Sequence, residues 1–219
     1  MELLTRTAGN VLAYVLEMLP LALLALGVLA LLAPWRRGRL AKRGLVSPGS
    51  REAVLAIFVA FCGGLGAITY FPVGFWDLAT HLRYGWPSEE FFSWETAMSA
   101  LGHLDNLLTP FQEIRRAFRV GSYWLWFLLV GNIVMFMPLG FFPKLLFRKW
   151  SWWKSLLLGF GVSVSIELAQ LFTTRSTDID DVILNTLGAL LGWLLGWIVE
   201  RLWPQGVENC KVREVLKWT

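Results

Sequence analysis

Between Ser163 and Gly192 the sequence reads SVSIELAQLFTTRSTDIDDVILNTLGALLG, and its polar residues are of the kinds that bind or react. Glu167 and Gln170 lie near the end of one apolar run. Arg175, Asp178, Asp180 and Asp181 make a polar corner, and Asn185 sits one turn inside the next run. Carboxylates can hold a cation, accept N–H groups or carry a proton, and an arginine can grip a carboxylate or phosphate bidentately. In lipid such groups cost a few kcal/mol each unless paired, hydrated or protonated, and they tend to mark function. Ser163, Glu167 and Gln170 follow i, i+4, i+7 spacing and share one helical face, as do Asp181 and Asn185. Asn132, in an earlier apolar run, lies at a similar depth.

Plainer roles compete at each position. Glu167 can snorkel or pair with Arg175, and Arg175 can be a surface anchor. Asn132 and Asn185 can join helices by hydrogen bonding. Asp178 suits a helix N-cap, with Asp180 and Asp181 in the first turn where the dipole favours anions. A cap does not need three acids, so the excess points to a cation, a basic ligand group or an arginine from another loop. The spacing is not that of a calcium loop, which needs a glycine and a distant acid. There is no paired-histidine motif, Gly-rich phosphate loop or serine elbow. His81 and His103 are isolated and read as surface residues. No catalytic residue, metal ligand or cofactor is assigned.

The elements that position these groups follow from composition. The chain has 219 residues, 56% hydrophobic and only 16% charged, with mean hydropathy +0.54. Soluble domains carry about a quarter charged residues. The apolar residues fall in blocks near the ~20 residues that a bilayer requires. The expected fold is therefore all-α, a polytopic transmembrane helical bundle. About five spans are read: 11–33, 53–71, 123–142, 152–172 and 181–203. The first is followed by Trp35, Arg36, Arg37 and Arg39, a stop-transfer flank rather than a cleavage site. The 13 tryptophans fit interfacial anchoring. Basic residues flank the apolar runs, which argues against nucleic acid as a partner, and Cys62 and Cys210 imply no disulfide framework.

Fourteen of the 20 lysines and arginines fall in the loops after spans one and three, in the tail, or at the span ends beside them. That side should be cytoplasmic, with the N-terminus outside, the C-terminus inside and the polar corner outward. The chain divides into two leading spans with their basic loop (1–72), an extracytoplasmic helical loop (73–122), a three-helix core (123–203) and a cytoplasmic tail (204–219). A connection as long as 73–122 carries structure or function. Two short helices are expected in it. One runs from about Ser88 with Phe91, Trp94, Met98, Leu101 and Leu104 in helical spacing. The other is capped by Thr109, Pro110 and Gln112. Both would lie on the membrane surface or fold over the outer mouth of the bundle. Gly188, Gly192 and Gly196, and likewise Ala56, Ala60 and Gly64, recur every fourth residue as packing stripes. Pro138 is expected to kink the third span.

Three blocks carry a family resemblance. Asn106–Ile114 reads NLLTPFQEI, Asn132–Phe142 reads NIVMFMPLGFF, and Ser165–Gly192 contains I-E-x-x-Q, an arginine, D-I-D-D and N-T-L-G-x-x-x-G. In these the sequence resembles the VanZ-like family of bacterial membrane proteins, named for a teicoplanin-resistance accessory protein. The resemblance implies a multi-pass protein of the bacterial cell membrane, connected with glycopeptide resistance. It marks Asn106, Phe111, Asn132, Glu167, Gln170, Arg175, Asp178, Asp180, Asp181 and Asn185 as motif positions, and the polar chemistry and one-sided placement of this set make it the candidate ligand-binding set of a non-enzymatic site at the outer leaflet. The expected partners are membrane lipids and an amphiphilic envelope precursor or lipoglycopeptide, with oligomerisation open. Two alternatives use the same residues. One is a carboxylate-dependent membrane enzyme acting on an envelope lipid, and the other is a small lipid transporter with Glu167 carrying protons.

Overall fold

The computed structural model describes residues 2–72, 75–76, 81–82, 93–102, 109–173 and 178–214. Asn106, Arg175 and His103 lie outside these residues. Among the described residues the regular structure is helical apart from one two-residue ladder, as an all-α bundle requires. Helix α1 (Glu2–Leu31) is followed by α2 (Ala33–Ala41), whose axis turns by 43°. This stretch reads as a basic loop in the sequence. It forms a helix because Pro34 is pre-set for a first turn, and left-handed Gly44 comes only after its end. Strand β1 (Leu45–Val46) leads into α3 (Gly49–Thr69).

Among the described residues two short helices follow, α4 (Trp94–Leu101) and α5 (Gln112–Val120). The core is α6 (Tyr123–Leu146), α7 (Trp152–Gln170) and α8 (Ile179–Leu202). Helix α9 (Pro204–Asn209) and strand β2 (Arg213–Glu214) close the described chain, with β2 antiparallel to β1. Among the described residues three helices, α3, α6 and α8, are long and apolar enough to cross a membrane, and the bent pair of Val15–Leu31 with Ala33–Ala41 adds a fourth when counted as one span. Helix α7 lies outside that set. It has 19 residues, and its buried face carries Ser155, Ser163, Glu167 and Gln170.

The α6–α8 seam explains the glycine stripe. A Cβ added at Gly192 would stand 1.8 Å from the Met137 carbonyl oxygen, and one at Gly188 2.2 Å from that of Ile133. Gly140 answers from α6, where a Cβ would meet the Ala189 carbonyl at 1.8 Å. Only bare glycine lets the two backbones approach this closely, and such contact replaces the hydrophobic drive that lipid does not supply. Helix α6 continues through Pro138 to Leu146. In α3, Gly63 and Gly64 face α1, where an added Cβ would be 2.6 Å from the Leu21 carbonyl oxygen and 2.7 Å from Met18 Cε. Leu65, Phe136, Leu139 and Ile166 join α3, α6 and α7 in one apolar core.

The two ends of the bundle differ in charge. At one end Lys144 of α6 and Lys211 of the tail both bind Glu200 of α8, at 2.6 and 2.5 Å. The β1–β2 ladder and a 2.5 Å hydrogen bond from Ser50 Oγ to the Asn209 carbonyl tie that tail to α3. The opposite end, where α7 stops and α8 starts, is acidic.

Candidate site at the acidic end of the bundle

Helix α8 begins at Ile179 with Asp178 as its N-cap, and the Asp178 side chain accepts the Asp180 N–H at 2.9 Å. That is the plain role expected of Asp178. The Asp178 N–H in turn donates to Glu167 Oε2 at 3.0 Å, so a buried carboxylate at the end of α7 fixes the chain entering α8. Burial raises the Asp178 pKa, its bond from the Asp180 N–H lowers it, and the charges of Asp180 and Glu113 raise it further.

Asp180 is fully buried and holds another element in place. Its carboxylate accepts the N–H of Phe111, that of Glu113 at 2.9 Å and that of Ile114 at 3.4 Å. These are the orphan donors at the start of α5. The expected local cap of α5 by Thr109, Pro110 and Gln112 is thus corrected. Phe111 occupies the N-cap in a left-handed conformation (φ 66°, ψ 22°) with no side-chain cap of its own, and the helix starts at Gln112. That conformation costs a bulky residue about 1–2 kcal/mol. The negative charge that Asp180 places against the helix N-terminus offsets the cost. Ala117 of α5 then packs in a small core with Leu129 and Leu184.

The remaining polar groups pair between helices. Asn132 Nδ2 of α6 donates to Asp181 Oδ1 of α8 at 2.5 Å. Asn185 Nδ2 donates to Ser163 Oγ of α7 at 2.9 Å, while Asn185 Oδ1 is buried without a partner. Gln170 Nε2 donates to the Thr69 carbonyl oxygen of α3 at 3.2 Å. Ser163, Glu167 and Gln170 are all buried, as their shared face requires. Asp178, Asp180 and Asp181 make no ion pair among the described residues. The described residues also contain no group of three or more His, Cys, Asp or Glu side chains placed to hold a metal.

The structure therefore gathers the first two turns of α8 against α5, α6 and α7. It pairs Asn132 with Asp181, Glu167 with Asp178, Asn185 with Ser163, and Asp180 with the Phe111 backbone. Asn106 and Arg175 fall outside the described residues. Sequence reasoning missed the α3 contribution: Thr69 is buried, and Tyr70 Oη lies 2.5 Å from Ser165 Oγ. Its signal was a Thr-Tyr pair at the end of an apolar run. It also misplaced His81, which is buried with Nε2 3.1 Å from the Phe75 carbonyl oxygen rather than on the surface. On α4, Ala97 is buried while Trp94, Met98 and Leu101 are exposed. Met98 and Leu101 are thus left open, while the Trp94 ring lies 5.7 Å from that of Phe172 and the Ser93 N–H holds the helix to the Phe172 carbonyl at 2.9 Å.

Compared with known proteins, residues 58–200 match the family described as VanZ/LLP1, a stretch that begins inside α3 and ends in α8. No curated protein and no solved structure matches the chain.

Proposed function

The chain belongs to the VanZ/LLP1 family, and from that premise we propose that the acidic end faces outward and binds an amphiphile of the cell envelope. The ligand class is a lipid headgroup, an envelope precursor or a lipoglycopeptide that offers N–H or ammonium donors. The observation that carries this reading is an excess of acceptors. Asp178 and Asp181 are half-buried carboxylates without an ion pair among the described residues, and the buried Asn185 Oδ1 has no donor. Negative charge gathered beside an apolar bundle suits a donor-bearing head with an acyl tail.

In this reading Asp178 and Asp181 meet the ligand. Asp180 and Glu167 position the rim by fixing α5 and the start of α8. Asn132 orients Asp181, while Gln170 and Asn185 set the helix spacing beneath. Phe111, whose N–H is held by Asp180, completes the rim, and Asn106 and Arg175 are further candidates on the strength of the family motif alone. The basic end faces the cytoplasm because most lysines and arginines lie there. A protein that engages acylated amphiphiles in the outer leaflet would lower sensitivity to teicoplanin, which carries an acyl chain, more than to vancomycin. Cells expressing the wild type should show that selective change, and Asp181→Asn should abolish it. Equal change for both drugs, or full protection by Asp181→Asn, contradicts the reading.

A further inference from the structure

At the basic end, three guanidiniums crowd one carboxylate. Arg36 binds Glu52 through both of its terminal nitrogens, one at 3.2 Å. Arg37 Nη2 and Arg51 Nη1 each lie 3.7 Å from the same group. Ser47 Oγ donates to Glu52 and accepts from Arg51 Nη1 at 3.0 Å. Three positive charges on one negative leave two uncompensated. The cluster sits at the start of the 21-residue α3, where the helix dipole adds further positive potential.

Hydrogen bonding shows the same deficit. The Arg51 side chain is only 9% exposed, yet its Nε–H has no acceptor, and the Arg36 Nε–H is likewise buried without one. The cluster holds more donors than acceptors and more cations than anions, so what it lacks is an anion. Arg37, 62% exposed, is its open side.

The surroundings indicate which anion. Leu31, Leu32 and Trp35 are exposed where α1 bends into α2, and the Arg39 guanidinium lies 4.9 Å from the Trp35 ring centre. An apolar surface that ends in tryptophan and arginine sits at headgroup depth. A diacyl lipid there would place its chains on Leu31 and Leu32 and its phosphate beside Arg37. We propose that Arg36, Arg37 and Arg51, over the start of α3, form a binding site for the phosphate of an anionic phospholipid. The proposal does not depend on what the acidic end binds.

The test uses the full chain in detergent, with melting followed on adding dioleoylphosphatidylglycerol, dioleoylphosphatidylcholine or inorganic phosphate. Phosphatidylglycerol should raise the melting temperature more than phosphatidylcholine does, and free phosphate should not reproduce the rise. Arg37→Gln, which leaves the Arg36–Glu52 pair intact, should at least halve the rise. Lys149→Gln, which removes an exposed cation of the same end outside the cluster, should leave it unchanged. Native mass spectrometry of the wild type from mixed micelles should show phosphatidylglycerol enriched among retained lipids, a readout that needs no variant to fold. A full rise in Arg37→Gln, an equal loss in Lys149→Gln, an equal rise with free phosphate, or no enrichment overturns the proposal.

Discussion

At the basic end Glu52 is shared by Arg36, Arg37 and Arg51, and Glu200 by Lys144 and Lys211. At the acidic end Asp180 is filled by three backbone N–H groups, and Asp181 takes an amide. Carboxylates join elements at both ends, by ion pairing in one case and by hydrogen bonds to helix starts and amides in the other. An ion pair neutralises the acid, whereas an N–H bond holds it and leaves its charge. The carboxylates of the acidic end are therefore held in place without an ion pair among the described residues. The basic end is internally paired and leaves its surplus at Arg37.

The seam between the ends gives the largest expected effect. Gly192→Val would drive carbons into the Met137 carbonyl, and two rigid backbones cannot yield locally. It should cost more than about 3 kcal/mol and weaken both ends together in denaturant unfolding from mixed micelles. Next comes Asp180→Ala, at about 3 kcal/mol, because buried charge-assisted hydrogen bonds are lost and donors are stranded. Amide exchange should show that loss concentrated in Gln112–Val120, with the tail unaffected. Protection that falls evenly along the chain would contradict the role given to Asp180.

Glu200→Gln should cost about 2 kcal/mol. It strands two nearly buried lysines, although partial exposure of Glu200 keeps the cost below that of a fully buried pair. Its effect should shrink in high salt, while that of Asp180→Ala should not. Similar salt dependence for the two would erase the contrast between the ends.

Asp178→Asn is the smallest. The folded-state pKa of Asp178 lies above its usual value, chiefly through burial, so the ionised form is disfavoured by folding. That penalty is absent below the ordinary carboxylate pKa, grows as pH rises through the folded value and persists above it. Asparagine caps a helix about as well as aspartate. The variant should therefore match or exceed wild-type stability at neutral pH and lose its advantage in acid. A variant less stable at pH 7 would contradict this sign.

Periodicity made some of this visible in the sequence. Gly188, Gly192 and Gly196 read as a packing stripe, and they form the α6–α8 seam. Asp178 read as an N-cap, and Ser163, Glu167 and Gln170 as one face, because both inferences need only neighbours along a helix. The start of α5 was misread for the opposite reason. Thr109, Pro110 and Gln112 look like a sufficient cap, but the group that occupies those donors is Asp180, 66 to 69 residues later in the chain. No local pattern announces a cap from another element. Helix α2 was hidden because its arginines read as a loop flank, although arginine is a good helix former. Thr69 and Tyr70 were passed over as the end of a span, since their partners on α7 are distant in sequence.

The central claim is that the acidic end binds an acylated, donor-bearing amphiphile through Asp181. It is tested most directly by isothermal titration of teicoplanin and its deacylated core into the protein in lipid nanodiscs, for the wild type and for Asp181→Asn. The substitution keeps an oxygen to accept from Asn132 and removes only the charge. The account predicts binding of the acylated form, weaker binding of the core, and a loss of about tenfold, or about 1.4 kcal/mol, in the variant. Equal binding of the two compounds, or undiminished binding by Asp181→Asn, would contradict it.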